Sequence, residues 1–330
     1  MKKRYKFLSL LCGAFMLSGC YLDLGFLQIG TPPEEEEADV IEEDKKTVET
    51  YYEGYDLDLG GTRLAMELQK QCFDKHTKWV TYGQVNSYYK KTKDHESVEA
   101  IAQGSSVNQW FYTGKEAEGY GTREHVWPCA NSSLLWSHDS SADVHYVDYS
   151  GYVGGGSDLF HVRTANSAVN TARGNSRFVS FDSPEYSQYK SDTLPITESG
   201  GKYSLLIYDY ETTTSGQIQY AKKAEPADEL KGDVARILLY VWIHYTKRNS
   251  VPEGSVQSGS RTYKYSDMVG SLGLSDIMGY DEQERCLEIL REWNKIDPPS
   301  EVEKLRNITV QKIQGNRNMF VDYPSLVDQL

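Results

Sequence analysis

Residues Thr122–Ser133 read TREHVWPCANSS, which sets a carboxylate beside an imidazole. Pro128 cannot continue a strand ladder, so Arg123–Trp127 is predicted as a short strand that stops there. Glu124–His125 has two readings at this point, a working acid–base or metal pair and a polar strand rim. Neighbours on a regular strand point to opposite faces. A twisted strand end can still bring both to bear on one substrate.

Downstream, Ser157–Asn175 reads SDLFHVRTANSAVNTARGN. The spacing predicts a helix from Arg163, ended by Gly174. Arg163, Asn166, Asn170 and Arg173 then share one face, and Ala165, Ala168, Val169 and Ala172 another. With Thr164 as N-cap, Arg163 falls just outside. Small apolar residues let such a helix pack closely while its amides and guanidinium groups point elsewhere together. A polar helical face usually meets solvent, yet in an acidic chain that face would carry Glu and Lys sooner than Asn. A carboxylate and an amide oxygen suit Mg²⁺ or Ca²⁺. A neutral imidazole is a competent base near pH 7, and an Arg stabilises the charge of a pentacovalent phosphorane. Together these groups point to metal-assisted phosphodiester hydrolysis.

The remainder of the chain frames that chemistry. It has 330 residues and a formal net charge of −13. Lys2, Lys3, Arg4 and Lys6 precede the apolar Phe7–Met16, and Leu17-Ser18-Gly19-Cys20 follows, resembling a bacterial lipobox. Residues 1–19 are therefore expected to be a lipoprotein signal peptide, and Cys20 a lipid-bearing anchor outside the cytoplasm. Glu34–Glu49 has nine acidic residues against two Lys, so residues 20–49 are expected to form a disordered stalk. Residues 50–330, with a charge of about −9, make one large domain and exclude binding of nucleic acid through a broad basic surface. Cys72, Cys129 and Cys286 allow at most one disulfide.

Helices are predicted over 62–76, over 232–245 as a buried segment, and from a capping box at Ser300–Glu303 to about Ile313, closed by Gly315. Asn108–Thr113 reads as a strand, and Tyr203–Tyr210 with Gly216–Tyr220 as a hairpin. Ser137–Ser157 is expected to be a long polar loop, with Gly154–Gly156 serving flexibility and His138 and His145 solvated. His76 and His244 are expected to be packing or surface residues. No His-Glu-x-x-His motif supports a zinc hydrolase.

Taken in order, Arg123-Glu124-His125-Val126-Trp127-Pro128, Asp158-Leu159-Phe160-His161-Val162-Arg163 and Val169-Asn170-Thr171-Ala172-Arg173-Gly174-Asn175 resemble the endonuclease I family of ββα-metal (His-Me finger) nucleases. Lys231–Arg236, Trp293 with Asp297-Pro298, Arg306-Asn307 and Gln314–Asn318 extend the resemblance over about residues 62–330. The family pattern differs at Thr122, Cys129, Phe160 and Thr164.

The resemblance implies an α+β fold, mainly helical and built around a ββα-metal motif with a short hairpin. It implies His125 as general base, Glu124 and Asn170 as ligands of one Mg²⁺ (or Ca²⁺ or Mn²⁺), and Arg173 as a phosphate contact or a helix brace. Arg123, Asp158, His161, Arg163 and Asn175 are implied as substrate or supporting positions, and Gln314–Asn318 as a structural turn. The expected protein is a monomeric, membrane-tethered endonuclease of low sequence specificity acting on DNA or RNA. The alternative is a non-catalytic surface lipoprotein that binds nucleic acid or a protein partner.

Overall fold

A computed structural model describes residues 33–88, 121–129, 151–197, 203–214 and 217–330. The leader, Cys20, the Asn108–Thr113 strand, His138 and His145 lie outside the described residues. The principal elements are α1 (Pro33–Tyr51), α2 (Gly61–Lys75), β1 (Gly121–His125), β2 (Val162–Asn166), α3 (Ser167–Arg173), β3 (Arg177–Phe178), β4 (Leu194–Thr197), β5 (Tyr203–Thr214), β6 (Gln217–Pro226), α4 (Asp228–Tyr245), α5 (Gln283–Ile296) and α6 (Glu301–Gln314). The fold is α+β. Among the described residues no helix is long and apolar enough to cross a membrane.

The core forms around α4. Every residue from Leu230 to Tyr245 is buried, as its nearly all-round apolar sequence requires. Burial of each large aliphatic side chain here, such as Ile237 or Leu239, contributes about 1.5–3 kcal/mol. The charged residues of this helix enter the interior only with partners. Arg236 forks onto Glu303 of α6 at 2.7 and 2.6 Å, and Lys231 pairs with Glu225 at 2.9 Å and Asp228 at 2.8 Å. The carbonyls that α4 leaves open at its C-terminus are met from outside. Gln69 donates to those of Ile243 and His244 at 3.1 Å, and Arg248 to that of Trp242 at 3.0 Å.

Among the described residues, three β-units flank this core. β1 pairs antiparallel with β2, with Glu124 opposite Arg163 and His125 opposite Val162. A four-stranded sheet has the order β3-β6-β5-β4, its β5–β6 hairpin longer than the sequence alone indicated. The third is a small hairpin, Ser255–Ser258 with Arg261–Lys264.

Two expectations need correction. Glu34–Glu49, expected as part of a disordered stalk, is helical within α1. Its Asp44 meets buried Arg317 at 2.7 Å, Val48 packs on the core, and Tyr51 accepts from the Arg317 N–H at 2.9 Å. One internal cation gives the acidic run a place to dock. The helix predicted from Arg163 begins only at Ser167. Arg163 and Thr164 are strand residues, and the N-cap is Asn166, whose Oδ1 accepts from the N–H groups of Ala168 and Val169 at 2.8 and 3.0 Å. The face containing Arg163 and Asn166 therefore does not exist, and of its four members only Asn170 and Arg173 share the helix. Cys72, Cys129 and Cys286 form no disulfide with one another.

Candidate active site

The β1–β2–α3 unit brings the TREH strand against the helix that carries Asn170 and Arg173. Glu124, on the inward face of β1, is 2 % exposed. Arg173 reaches it from α3 at 2.8 Å and also donates to the carbonyls of His125 at 3.2 Å and Val126 at 2.6 Å. Its guanidinium plane lies 4.6 Å from the Phe178 ring. Arg173 is thus a buried brace that ties α3 to three consecutive residues, Glu124 and His125 at the end of β1 and Val126 just past it. One turn earlier, Asn170 Nδ2 donates to the Arg123 carbonyl at 3.4 Å.

His125 faces the other way and is half-buried. Its Nε2 lies 2.8 Å from the Gly156 carbonyl, which can only accept. The ring is therefore held with its proton on Nε2 and its lone pair on Nδ1. Burial first, and then the neighbouring His161 ring, push its pKa down to about 3, so the imidazole is neutral at pH 7. Tyr82 stacks on it at 5.8 Å and carries Arg123 on its ring at 3.9 Å. Arg123 also donates to the Tyr82 carbonyl at 3.1 Å.

His161 is fully buried behind His125, with ring centroids 5.5 Å apart. Its Nε2 accepts from the Trp127 N–H at 3.0 Å, so Nδ1 carries the proton and donates to the Gly155 carbonyl at 2.6 Å. Gly154–Gly156, expected as flexible loop, is instead a buried turn whose carbonyls orient both imidazoles. Gly154 has φ 124°, a conformation suited to glycine. Tyr82 and this turn are the parts that sequence reading missed. Aromatic residues are frequent throughout the chain, and a glycine triplet without a phosphate-loop motif carries no specific signal.

The remaining candidates lie elsewhere. Arg163 is buried 4.0 Å from Asp233. Asn175 is exposed just past α3. Asp158 points into the interior, where Oδ2 accepts from Tyr240 at 2.7 Å and Tyr245 at 2.6 Å. Oδ1 accepts from Phe160 N at 2.9 Å and Gln314 Nε2 at 3.1 Å. Burial would raise its pKa, but hydrogen bonds and charge from His244, His76 and Tyr245 hold it well below the usual range. His76, Asp158 and His244 each offer a ligand atom within 4.8 Å of the others, a donor set that can hold a metal ion. A cation there would compete with the two tyrosine hydroxyls.

Glu124 and Asn170 each carry an oxygen of the kind a divalent cation takes. Burial raises the Glu124 pKa to about 7 even against the opposing effect of Arg173. One guanidinium, shared with two carbonyls, does not fully offset the desolvated carboxylate, and a second positive charge beside it would. The bond from Asn170 Nδ2 commits the amide nitrogen and leaves Oδ1 as the donor atom for a hard cation.

The endonuclease I family model matches residues 60–325. An extracellular ribonuclease of Bacillus amyloliquefaciens is 28 % identical over 296 residues, covering 86 % of this chain and 78 % of the relative. An extracellular ribonuclease of Bacillus subtilis (strain 168) is 27 % identical with the same coverage. Family and relatives decide between the two sequence readings in favour of catalysis, and the chain belongs to the endonuclease I family, as a nucleic-acid phosphodiester hydrolase.

Proposed function

We propose that the chain is a divalent-cation-dependent endonuclease of low sequence specificity, acting on RNA and DNA outside the cytoplasm. In this reading β1, β2 and α3 form a ββα-metal motif, and Glu124 and Asn170 hold one Mg²⁺. When bound there, the ion would supply positive charge for the scissile phosphate and the leaving oxygen. His125, neutral and fixed by Gly156, takes a proton from the attacking water at Nδ1. The negative charge of the phosphodiester arriving beside it, which grows to two in the pentacovalent phosphorane, raises its proton affinity during the step. Arg173 favours the ionised form of Glu124 and holds it in place, while Arg123, set on Tyr82, offers the substrate a guanidinium. The named relatives are extracellular, in keeping with export of this chain; the signal peptide at 1–19 and the lipid at Cys20 rest on the sequence reading.

The observation that carries this reading is the His125–Gly156 bond, which aims a basic nitrogen from the strand residue next to a buried carboxylate. The test is digestion of structured RNA and plasmid DNA by the purified chain. Cleavage is expected to require Mg²⁺, to stop with chelator, and to fall by about 10²–10⁴-fold in His125→Ala. Unchanged cleavage by that variant would sink the mechanism.

A further inference from the structure

Beside α3 lies a groove of about 540 Å³ lined by Asn175, Arg177, Tyr210, Lys222 and Lys223 among others. It begins at the C-terminal end of the helix that carries Asn170 and Arg173, where Gly174 ends the helix and Asn175 follows. Its cations stand out in a chain of net charge −13. Lys222 is shared with Asp209 at 3.8 Å, whereas Lys223 and Arg177 form no salt bridge among the described residues.

Sheet register explains how these groups meet. Arg177 pairs with Lys223 across β3–β6, and Lys223 with Tyr208 across β6–β5. The three therefore project from the same outer face, while Phe178, Ala224 and Ile207 fill the inner face. On that outer face runs a stack of tyrosines. Tyr189 and Tyr208 are stacked at 4.6 Å, and Tyr208 and Tyr210 at 5.7 Å with rings 16° apart. The stack ends at Tyr210, which lines the groove.

Parallel aromatic rings leading into a cationic groove supply what an unpaired strand needs, a π-face for a base and positive charge for its backbone. A duplex keeps its base faces stacked inside and would use only the charge. Resting on the nuclease reading of the adjacent site, we propose that this groove binds a single-stranded segment of the nucleic acid running from the scissile phosphate. A base continues the stack on Tyr210, and Arg177 and Lys223 contact phosphates. Tyr208 acts as a positioning residue behind Tyr210. The tyrosine faces and the two cations do not distinguish ribose from deoxyribose, so RNA and DNA strands are both expected to bind.

The test uses the full chain carrying His125→Ala, so that substrate survives, and follows anisotropy of a labelled RNA strand, its DNA counterpart and the RNA duplex in Mg²⁺. Both strands are expected to bind about tenfold more tightly than the duplex. Tyr210→Ala should remove that preference while Tyr210→Phe keeps it. Lys223→Ala should lower the slope of log affinity against log salt by about 0.7, one phosphate contact to a single strand. A duplex bound as tightly as the strands, or strand affinity unmoved by Tyr210→Ala, overturns the proposal. Should Tyr210→Ala lose its circular dichroism signature, Lys223→Ala decides alone, an unchanged slope overturning it. Cleavage by the unmodified chain is scored separately. Persistent Mg²⁺-dependent cleavage with tyrosine-independent binding removes this proposal only, and absence of cleavage removes the catalytic reading.

Discussion

Arg173 Nη1 stands 2.8 Å from Glu124 Oε1, with the two side chains 1 % and 2 % exposed. A pair this deep cannot lose one member cheaply, because the survivor must either hold its charge in a medium that solvates it poorly or be neutralised. Arg173→Met is expected to destabilise the fold by about 3–5 kcal/mol in urea unfolding. Where the variant stays folded, Glu124 should protonate more readily and bind Mg²⁺ less well. Activity should then recover in part at raised Mg²⁺ and raised pH, a rescue that a phosphate-contacting Arg would not show.

The pH dependence of the cation-free protein follows from the same carboxylate. Burial raises Glu124 to about 7, above the ordinary Glu range. A raised carboxylate favours folding while protonated, so this contribution is complete below about pH 4.5 and is lost as pH rises through 7. Its size is about 3 kcal/mol, from 1.36 kcal/mol for each pK unit. Glu124→Gln should therefore gain stability relative to wild type between pH 5 and 8. Mg²⁺ should stabilise wild type more at pH 8 than at pH 5. His125 and His161, pushed down to about 3 and about 4, act oppositely. They favour folding above about pH 6.5 and withdraw that support as pH falls, which is why the comparison with Glu124→Gln is needed to isolate the carboxylate. Equal slopes of stability against pH in the two proteins would show that Glu124 is not raised.

How much of this was legible follows from which interactions are local. The 228–245 helix, the Ser300 cap and the hairpin are written in short-range periodicity and turn chemistry, and they form close to where the sequence places them. The strand-to-helix switch at Asn166 was misread because Arg163, Asn166, Asn170 and Arg173 fit a helical period although the first two belong to β2. Pairing with β1, forty residues away in sequence, overrides that period. α1 was misread for a similar reason, since the acidic run finds its partner in Arg317, far along the chain. Glu124 and His125 could be named from a motif. The Gly155 and Gly156 carbonyls that orient the imidazoles could not, because backbone acceptors leave no residue-type signature.

Gly232 shows the same non-local logic in the core. A Cβ there would lie 1.8 Å from the Asp297 carbonyl oxygen, and the Gly232 N–H is held by the Asp297 carboxylate at 2.9 Å. Backbone on both sides has nowhere to move without separating α4 from the α5–α6 connection. Gly232→Ala, ordinarily favourable in a helix, is expected instead to cost about 3 kcal/mol or more through overpacking. Urea unfolding measures it, and a neutral or stabilising result would show that α4 and the Asp297 turn are less closely packed than the structure has them.

Asn166 links the fold to the chemistry most economically. Its side chain accepts from the N–H groups of Ala168 and Val169, so it fixes where α3 begins and hence the height of Asn170 against β1. Asn166→Ala should cost about 1 kcal/mol of stability, the usual cost of a lost cap. Asn166→Asp, which caps equally well, should not. Activity should follow the cap. The Ala variant is expected to need several-fold more Mg²⁺ for half-maximal cleavage, because a frayed first turn lets Asn170 wander from the cation. The Asp variant should keep the wild-type requirement. An Ala variant that loses stability but titrates with Mg²⁺ like wild type would mean that Asn170 is placed by its bond to the Arg123 carbonyl and owes nothing to the cap.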